Sequence, residues 1–429
     1  MRVAVVGLGK IGLPLAVQFA GAGAEVVGVD VAPNVVAAVN SGIEPFPGEH
    51  DLQRRLAEVV GGRRLSATTE FSQAIPRADV VVIVVPLFVD DDSVPDFDWM
   101  DEATRAVAAN LTSSTLVAYE TTLPVGTTRG RWKPMLEGGS GLSEGIDFHV
   151  VFSPERVLTG RVFSDLRKYP KLVGSLSPRG AHLATRFYDS VLDFDERPDL
   201  ARANGVWDLG SAEAAEMAKL AETTYRDVNI GLANEFARYA ETVGVDVAAV
   251  IDACNSQPFS HIHQPGIAVG GHCIPVYPRL YLWNDPEAAT VRAARATNAS
   301  MPVHAVDLLE RIHGHLAGQP VVVLGAAYRG GVKETAFSGV FPTVEALRAR
   351  GASVLVHDPL YQDDELESLG FSPWHRGDRA DALVLQADHE EYREWSSKDA
   401  PGTRSIVDGR RILRPEDWEP ATVAVIGRG

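Results

Sequence analysis

Val3-Ala4-Val5-Val6-Gly7-Leu8-Gly9-Lys10-Ile11-Gly12 is the stretch that decides the fold. Val3–Val6 reads as a strand buried on both faces, and three closely spaced glycines follow it at once. Gly7 allows a tight turn, Gly9 lets the backbone approach a pyrophosphate, and Gly12 lets the next helix pack close to the strand. The unpaired N–H groups at that helix start then face the anion. A second apolar run, Val26–Val29, ends on Asp30. A carboxylate there accepts a hydrogen bond from a ribose 2′-hydroxyl and repels a 2′-phosphate, so the pattern predicts NAD rather than NADP.

Further runs at Val80–Val85, Leu116–Tyr119 and His149–Phe152 alternate with helical patterns over the first 200 residues or so. Their continuous apolar character predicts a doubly wound α/β domain with a parallel sheet. From about Asp208 the composition turns to Ala, Glu, Met and Leu, and Ser211 before Ala-Glu-Ala reads as an N-cap with an acidic first turn. One long helix is expected over Ser211–Thr242, as a connector between lobes. A helix at Asp246–Cys254, a Gly/Pro/His loop from Gln257 to Pro278 and a helix near Ala288–Asn298 should follow. The last third restarts the α/β rhythm, with strands at Val321–Leu324, Val354–His357, Ala382–Leu385 and Val423–Ile426, and a helix at Val344–Arg350 ended by Gly351. Whether the two α/β lobes are a structural duplication is left open by the sequence.

The chain has 429 residues and a formal net charge of -17. That length suits two or three domains, and an acidic chain argues against nonspecific nucleic-acid binding. Its two cysteines, Cys254 and Cys273, form no disulfide framework and fit a reducing compartment. Lys10 interrupts the apolar start, and the run Val80–Val89 is too short to span a bilayer, so a cytoplasmic protein with no membrane partner is expected. His261, His263 and His272 lack a carboxylate or cysteine at ligand spacing, so no metal is expected.

Gly266-Ile267-Ala268-Val269-Gly270-Gly271-His272-Cys273-Ile274-Pro275 carries the second chemical signal. A cysteine after paired glycines sits on backbone that a substrate can approach, and a thiolate beside an NAD site suggests aldehyde chemistry. The thiol adds to an aldehyde, hydride leaves and a thioester forms. A buried structural thiol is the bland alternative for Cys273; Cys254, at the end of an apolar helical stretch, fits that alternative better.

With these segments go Glu120–Thr127 (ETTLPVGT), Phe152–Arg156 (FSPER), Lys219–Glu235 (KLAETTYRDVNIGLANE) and Gly325–Arg329 (GAAYR). In their order and spacing the chain resembles the UDP-glucose/GDP-mannose dehydrogenase family over essentially its full length. The resemblance implies two Rossmann-like doubly wound domains joined by a long central helix and a helical dimerisation region, hence a homodimer. The implied boundaries are 1–205 for an NAD domain, 206–304 for a central domain with the cysteine loop, and 305–429 for a nucleotide-sugar domain. It implies a double oxidation of a nucleotide-sugar C6 alcohol to a carboxylate with two NAD, in polysaccharide biosynthesis.

The resemblance also implies the residue roles. Cys273 is the nucleophile, Lys219 stabilises oxyanions near C6, and Glu155 positions or activates the hydrolytic water with Thr122 nearby. Gly7, Gly9, Ile11, Gly12 and Asp30 hold NAD, with Thr122 and Glu155. Val151, Phe152, Ser153, Pro154 and Glu155 line the sugar site with Lys219 and Gly266, and Arg329 meets the nucleotide-sugar. Read without the family, Lys219 is a solvated helix charge, Glu155 a first-turn acid and Thr122 a turn former.

Four positions depart from the family pattern: Tyr277 and Thr223 replace an Asp and an Asn, Ala336-Phe337-Ser338 replaces Arg-Glu-Ser, and Pro86-Leu87 replaces Pro-Thr. They raise two alternatives: an enzyme that stops at the aldehyde, and a weakly catalytic NAD- or nucleotide-sugar-binding protein. A β-hydroxyacid dehydrogenase needs neither the cysteine nor a third α/β domain. His272 before the cysteine is closer to members acting on N-acetylated hexosamine nucleotides.

Overall fold

β1 (Arg2–Val6) forms from the valine run and pairs in parallel with β2 (Glu25–Val29), which pairs in turn with β3 (Leu65–Thr68). The structure, a computed structural model, describes residues 1–90 and 93–429. On the other side of β1 lies β4 (Val80–Ile83), buried throughout. After a short antiparallel ribbon of β5 (Phe88–Val89) and β6 (Pro95–Asp96), the sheet grows through β7 (Leu116–Tyr119) and β8 (His149–Phe152). It continues through β9 (Lys171–Ser175) and β10 (Val206–Asp208). All its pairs are parallel except β8 with β9. Two apolar cores flank it: Val3, Val5 and Val151 face one, and Ala4, Val6 and Phe152 the other. This is the two-sided burial that continuous Val/Ile runs require.

The second sheet is β12 (Ser353–His357), β11 (Pro320–Leu324), β13 (Ala382–Leu385), β14 (Ser405–Asp408) and β15 (Thr422–Val425), in that order and all parallel. The chain divides into two compact units, Met1–Ala221 and Glu222–Gly429, one around each sheet. The division falls inside the helix Ala212–Val243, where Ser211 Oγ accepts the Ala214 N–H at 3.1 Å as an N-cap. Among the described residues no helix is long and apolar enough to cross a membrane.

The two sheets share one device. The strand β1 lies between β2 and β4, and β11 between β12 and β13. Each is followed by a glycine with positive φ, Gly7 at 92° and Gly325 at 101°. Each second strand is followed by an aspartate whose carboxylate accepts backbone N–H groups from the glycine turn. Asp30 takes Leu8 N–H at 2.8 Å, and Asp358 takes Ala326 and Ala327 N–H at 2.8 and 2.9 Å.

Several expectations needed adjustment. The fourth strand stops at Ile83 rather than Val85. The helix expected to end at Asn298 runs over Ala289–His313, through Pro302. A proline inside a helix removes one hydrogen bond, at a cost of about 3 kcal/mol. Burial of Val291, Ala294, Met301, Ala305, Leu308 and Leu309 on one apolar face offsets it. The cysteine loop gives way to helix Tyr277–Asn284 one residue before its expected end, with Pro278 in the first turn, where no N–H is needed. Strands β3, β9, β10 and β14 escaped notice because Lys, Ser, Thr or Asp interrupts their apolar character.

Candidate active site

The glycine turns of both sheets follow the carboxyl ends of parallel strands, where open α/β folds bind ligands. In the first unit the turn after β1 is anchored by Gly7 N–H donating to Val29 O at 2.8 Å. A Cβ on Gly12 would lie 1.9 Å from the Gly7 carbonyl oxygen, so only glycine closes this turn. A Cβ on Gly9 would meet nothing within 4 Å, leaving that backbone open to a ligand. Ile11 precedes the helix Gly12–Gly21 at its N-cap. Asp30 Oδ1 accepts Ala32 N–H at 2.9 Å while Oδ2 holds Leu8, so the half-exposed carboxylate is fixed beside the loop. Turn, open glycine, helix start and oriented acid together fit a dinucleotide.

The loops after β7 and β8 carry the next group. Thr122 is buried in the loop after β7. That loop is pinned by Glu216 of the helix Ala212–Val243, which accepts Gly126 N–H at 2.6 Å, Thr128 N–H at 2.9 Å and Thr128 O–H at 2.7 Å. Burial pushes the Glu216 carboxyl up to about 7, against those three donors. Of the residues after Val150, Val151 and Phe152 fill the two cores, and Ser153 donates to Leu172 O at 2.8 Å. Pro154 is buried, and Glu155 is the first of the five that is partly exposed. The ammonium of Lys219 is also buried and donates to the Glu155 carbonyl oxygen at 2.6 Å. The structure therefore brings Lys219 and Glu155 together, and Lys219 is no solvated surface charge.

Around Glu155 lies a buried polar cluster that the sequence reading missed. Lys171 is ion-paired with Glu155 and, at 3.1 Å, with Glu120, and the Tyr188 hydroxyl donates to Glu120 at 2.5 Å. Lys171 thus bridges the two carboxyl groups. Burial raises the Glu120 carboxyl well above the carboxylate range, more than Lys171 lowers it. Burial pushes Glu155 the same way, but Lys171, the Glu120 carboxyl and Lys219 outweigh it and hold Glu155 below its ordinary value. A lysine inside a buried strand and the Glu that opens ETTLPVGT were the available signals.

In the second unit the cysteine loop is held from several sides. Gly271, φ 89°, donates its N–H to Ala336 O at 2.9 Å, and a Cβ on Gly270 would lie 2.6 Å from Tyr328 Cβ. Arg295, ion-paired with the buried Asp227 at 2.8 Å, reaches Ile274 O at 3.4 Å. Cys273 is partly exposed, and its carbonyl accepts Tyr277 N–H at 2.9 Å where helix Tyr277–Asn284 begins. Tyr277, at the family's Asp position, thus heads that helix, while Thr223 is fully buried. His272 is exposed, 3.6 Å from Glu334. Among the described residues no group of His, Cys, Asp or Glu could hold a metal ion.

Gly266 donates its N–H to Asn234 at 3.0 Å and borders a cavity of about 220 Å³ lined by Gln264, Pro265, Asp408, Gly409, Arg410, Arg411 and Ile426. Asp408, fully buried, accepts four backbone N–H groups from Arg410 to Leu413 and shapes the turn that presents both arginines. Asp408-Gly409-Arg410-Arg411, directly after a strand, was the unread signal. Arg329 lies elsewhere on this rim, exposed, donating to Gly330 O at 3.3 Å.

Three family models match in series: the UDP-glucose/GDP-mannose dehydrogenase NAD binding domain over residues 1–192, the central domain over 213–300 and the UDP binding domain over 322–415. The chain is 38% identical to the UDP-N-acetyl-D-mannosamine dehydrogenase of Pyrococcus horikoshii over 100% of both chains. It is 31% identical to the NDP-N-acetyl-D-galactosaminuronic acid dehydrogenase of Ralstonia nicotianae over 95% of both. The solved structure of UDP-D-ManNAc dehydrogenase from P. horikoshii superposes with a TM-score of 0.88, at 37% identity and full coverage of both chains. A UDP-glucose dehydrogenase from Pyrobaculum islandicum does so at 0.87, with 25% identity and coverage of 100% and 98%.

Proposed function

Because this chain belongs to the UDP-glucose/GDP-mannose dehydrogenase family and is an NAD-dependent oxidoreductase of nucleotide sugars, we propose that it converts the C6 alcohol of a UDP-N-acetylhexosamine to a carboxylate. The reaction has two oxidations, with the sugar held on Cys273 first as a thiohemiacetal and then as a thioester. The observation that carries this reading is the Lys219 ammonium seated on the Glu155 carbonyl at the carboxyl end of the NAD sheet. A buried cation there has little reason to exist except to face developing negative charge. The N-acetylhexosamine is favoured by the relatives named above and by His272 before the cysteine.

Bound NAD supplies the hydride acceptor for both oxidations. Gly7, Gly9, Ile11 and Gly12 cradle its diphosphate, Asp30 orients a ribose, and Thr122 lies on the same rim. The Cys273 thiolate adds to the C6 aldehyde, and Lys219 offsets the oxyanion charge. After the second oxidation Glu155 takes a proton from water. The water oxygen bonds to the thioester carbon, the carbon–sulfur bond breaks, and the thiolate leaves with its electron pair. The segment from Val151 to Glu155 shapes the sugar site through its backbone course. Gly266, Arg329 and the arginines of the adjoining cavity, Arg410 and Arg411, take the nucleotide.

This reading assigns 1–205 to NAD, 206–304 to the central domain and 305–429 to the nucleotide-sugar, with dimerisation through the long helix. Both cysteines are unpaired, which agrees with a cytoplasmic site supplying uronate sugars to polysaccharide biosynthesis.

The test is NADH yield per sugar with purified protein, NAD and a panel of UDP-, GDP- and dTDP-hexoses with and without N-acetyl groups. Two NADH per sugar and an acid product are expected, and Cys273→Ser should abolish the acid. Acid formation undiminished in that variant would rule out the covalent route. One NADH per sugar would favour the reading in which Tyr277, in place of the family's Asp, stops the enzyme at the aldehyde.

A further inference from the structure

The cluster behind Glu155 holds more ionisable groups than the reaction above uses. Glu120 and Tyr188 are fully buried, and the Lys171 side chain is only 4% exposed. Glu120 directly follows β7, Lys171 opens β9, and Tyr188 lies on the helix Pro178–Val191. The Tyr188 hydroxyl and the Lys171 ammonium both donate to Glu120, and Lys171 also donates to Glu155. The Lys171 ammonium therefore bridges the two carboxyl groups, and Tyr188 and Lys171 take one oxygen each of Glu120.

Glu155 faces Lys171 on one side and its own carbonyl holds Lys219 on the other, so two cations favour its ionised form. Glu120 lies deeper and has only Lys171 as a charged partner of opposite sign. Asp165, on the helix Val162–Lys168, lines the same small void but is turned to Leu158 N–H and Arg161. Arg156 also lines it and is turned to Pro170 O. That void, about 10 Å³ beside Glu155 and Lys171, has room for about one water.

We propose that Glu120, Lys171 and Tyr188 are positioning residues for Glu155: Glu120 anchors the Lys171 ammonium, and Lys171 bridges to Glu155 and keeps it ionised. Glu155 is thereby ready to take a proton from the water that attacks the thioester. Tyr188 fixes the rotamer of Glu120 by donating to its other oxygen. The inference rests on the reading of Glu155 as the hydrolytic base.

The experiment is the pH profile of kcat for acid formation, together with single-turnover release of the first NADH. Glu155→Gln is the control for the underlying reading: it should stop acid formation and spare the first NADH. If acid formation survives in it, that reading and the relay fall together. If Glu155→Gln behaves as expected, the relay is judged on its own variants. Lys171→Met should move the acidic limb up by about one pH unit or more, with KM for the sugar nucleotide within about threefold, and Lys171→Arg should restore it. Glu120→Gln keeps an acceptor oxygen for the Lys171 ammonium, so it should keep the acidic limb in place. Glu120→Leu, with no acceptor, should raise it. An unmoved limb in Lys171→Met overturns the proposal. So does a Glu120→Gln profile matching Glu120→Leu, which decides the matter even if Lys171→Met does not fold.

Discussion

Asp30 shows what one side chain does in this molecule. Its two oxygens accept Leu8 and Ala32 N–H groups and so fix the glycine turn, and under the proposed function its charge faces the ribose of NAD. Asp30→Ala removes both effects: KM for NAD should rise about tenfold or more, and preference over NADP should shrink. Steady-state kinetics with the two cofactors measures it; an unchanged NAD/NADP ratio would show that discrimination lies elsewhere. Asp30 was legible because acid, glycines and strands share one local pattern. Lys171 was not, since a lysine at the edge of an apolar run looks like the end of a strand. Only β9 pairing with β8 places it against Glu120 and Glu155. Arg410 and Arg411 were hidden similarly, because their neighbours Gly266 and Tyr328 are remote in sequence.

Among the elements, the helix Ala212–Val243 bears most on the site, since it carries both Lys219 and Glu216. Its existence was readable from composition and the Ser211 cap; what its polar residues hold was not. Glu216 has a testable cost. Its carboxyl titrates near 7 when folded, against about 4.5 unfolded. Between those values the native state keeps a proton that the unfolded chain has released. Stability from this group is therefore lost as pH rises through that window, by on the order of 3 kcal/mol in all. Chemical denaturation of wild type and Glu216→Gln from pH 4.5 to 7.5 should show a shallower decline in the variant, whatever constant offset the amide brings. Parallel curves would mean that Glu216 does not titrate in this range.

For the molecule as a whole, the long helix has a further face. Tyr225, Leu232, Phe236, Tyr239 and Val243 are exposed on it, at spacings of three, four and seven residues that place them in one stripe. Such a stripe, alone in water, is what a second copy of the same helix would cover. Phe236→Glu should convert a dimer into a monomer, read as a halved mass in light scattering; a monomeric wild type would remove the basis for a dimer.

The paired architecture was partly legible, as an α/β rhythm that restarts. The likeness of the two glycine turns was not, because Gly325-Ala326-Ala327 lacks the later glycines of Gly7–Gly12. That likeness creates a problem of mistaken identity, since the proposed function brings two different nucleotides to a molecule with two similar turns. In the first, Asp30 is half-exposed. In the second, Asp358 is buried and already occupied: Leu360 N–H takes one oxygen, while Ala326, Ala327 and His389 Nε2, at 3.1 Å, crowd the other. Burial and the three partners on one oxygen close Asp358 to an adenosine ribose. Rising NADH should therefore compete for the first berth alone and leave the sugar nucleotide's place uncontested.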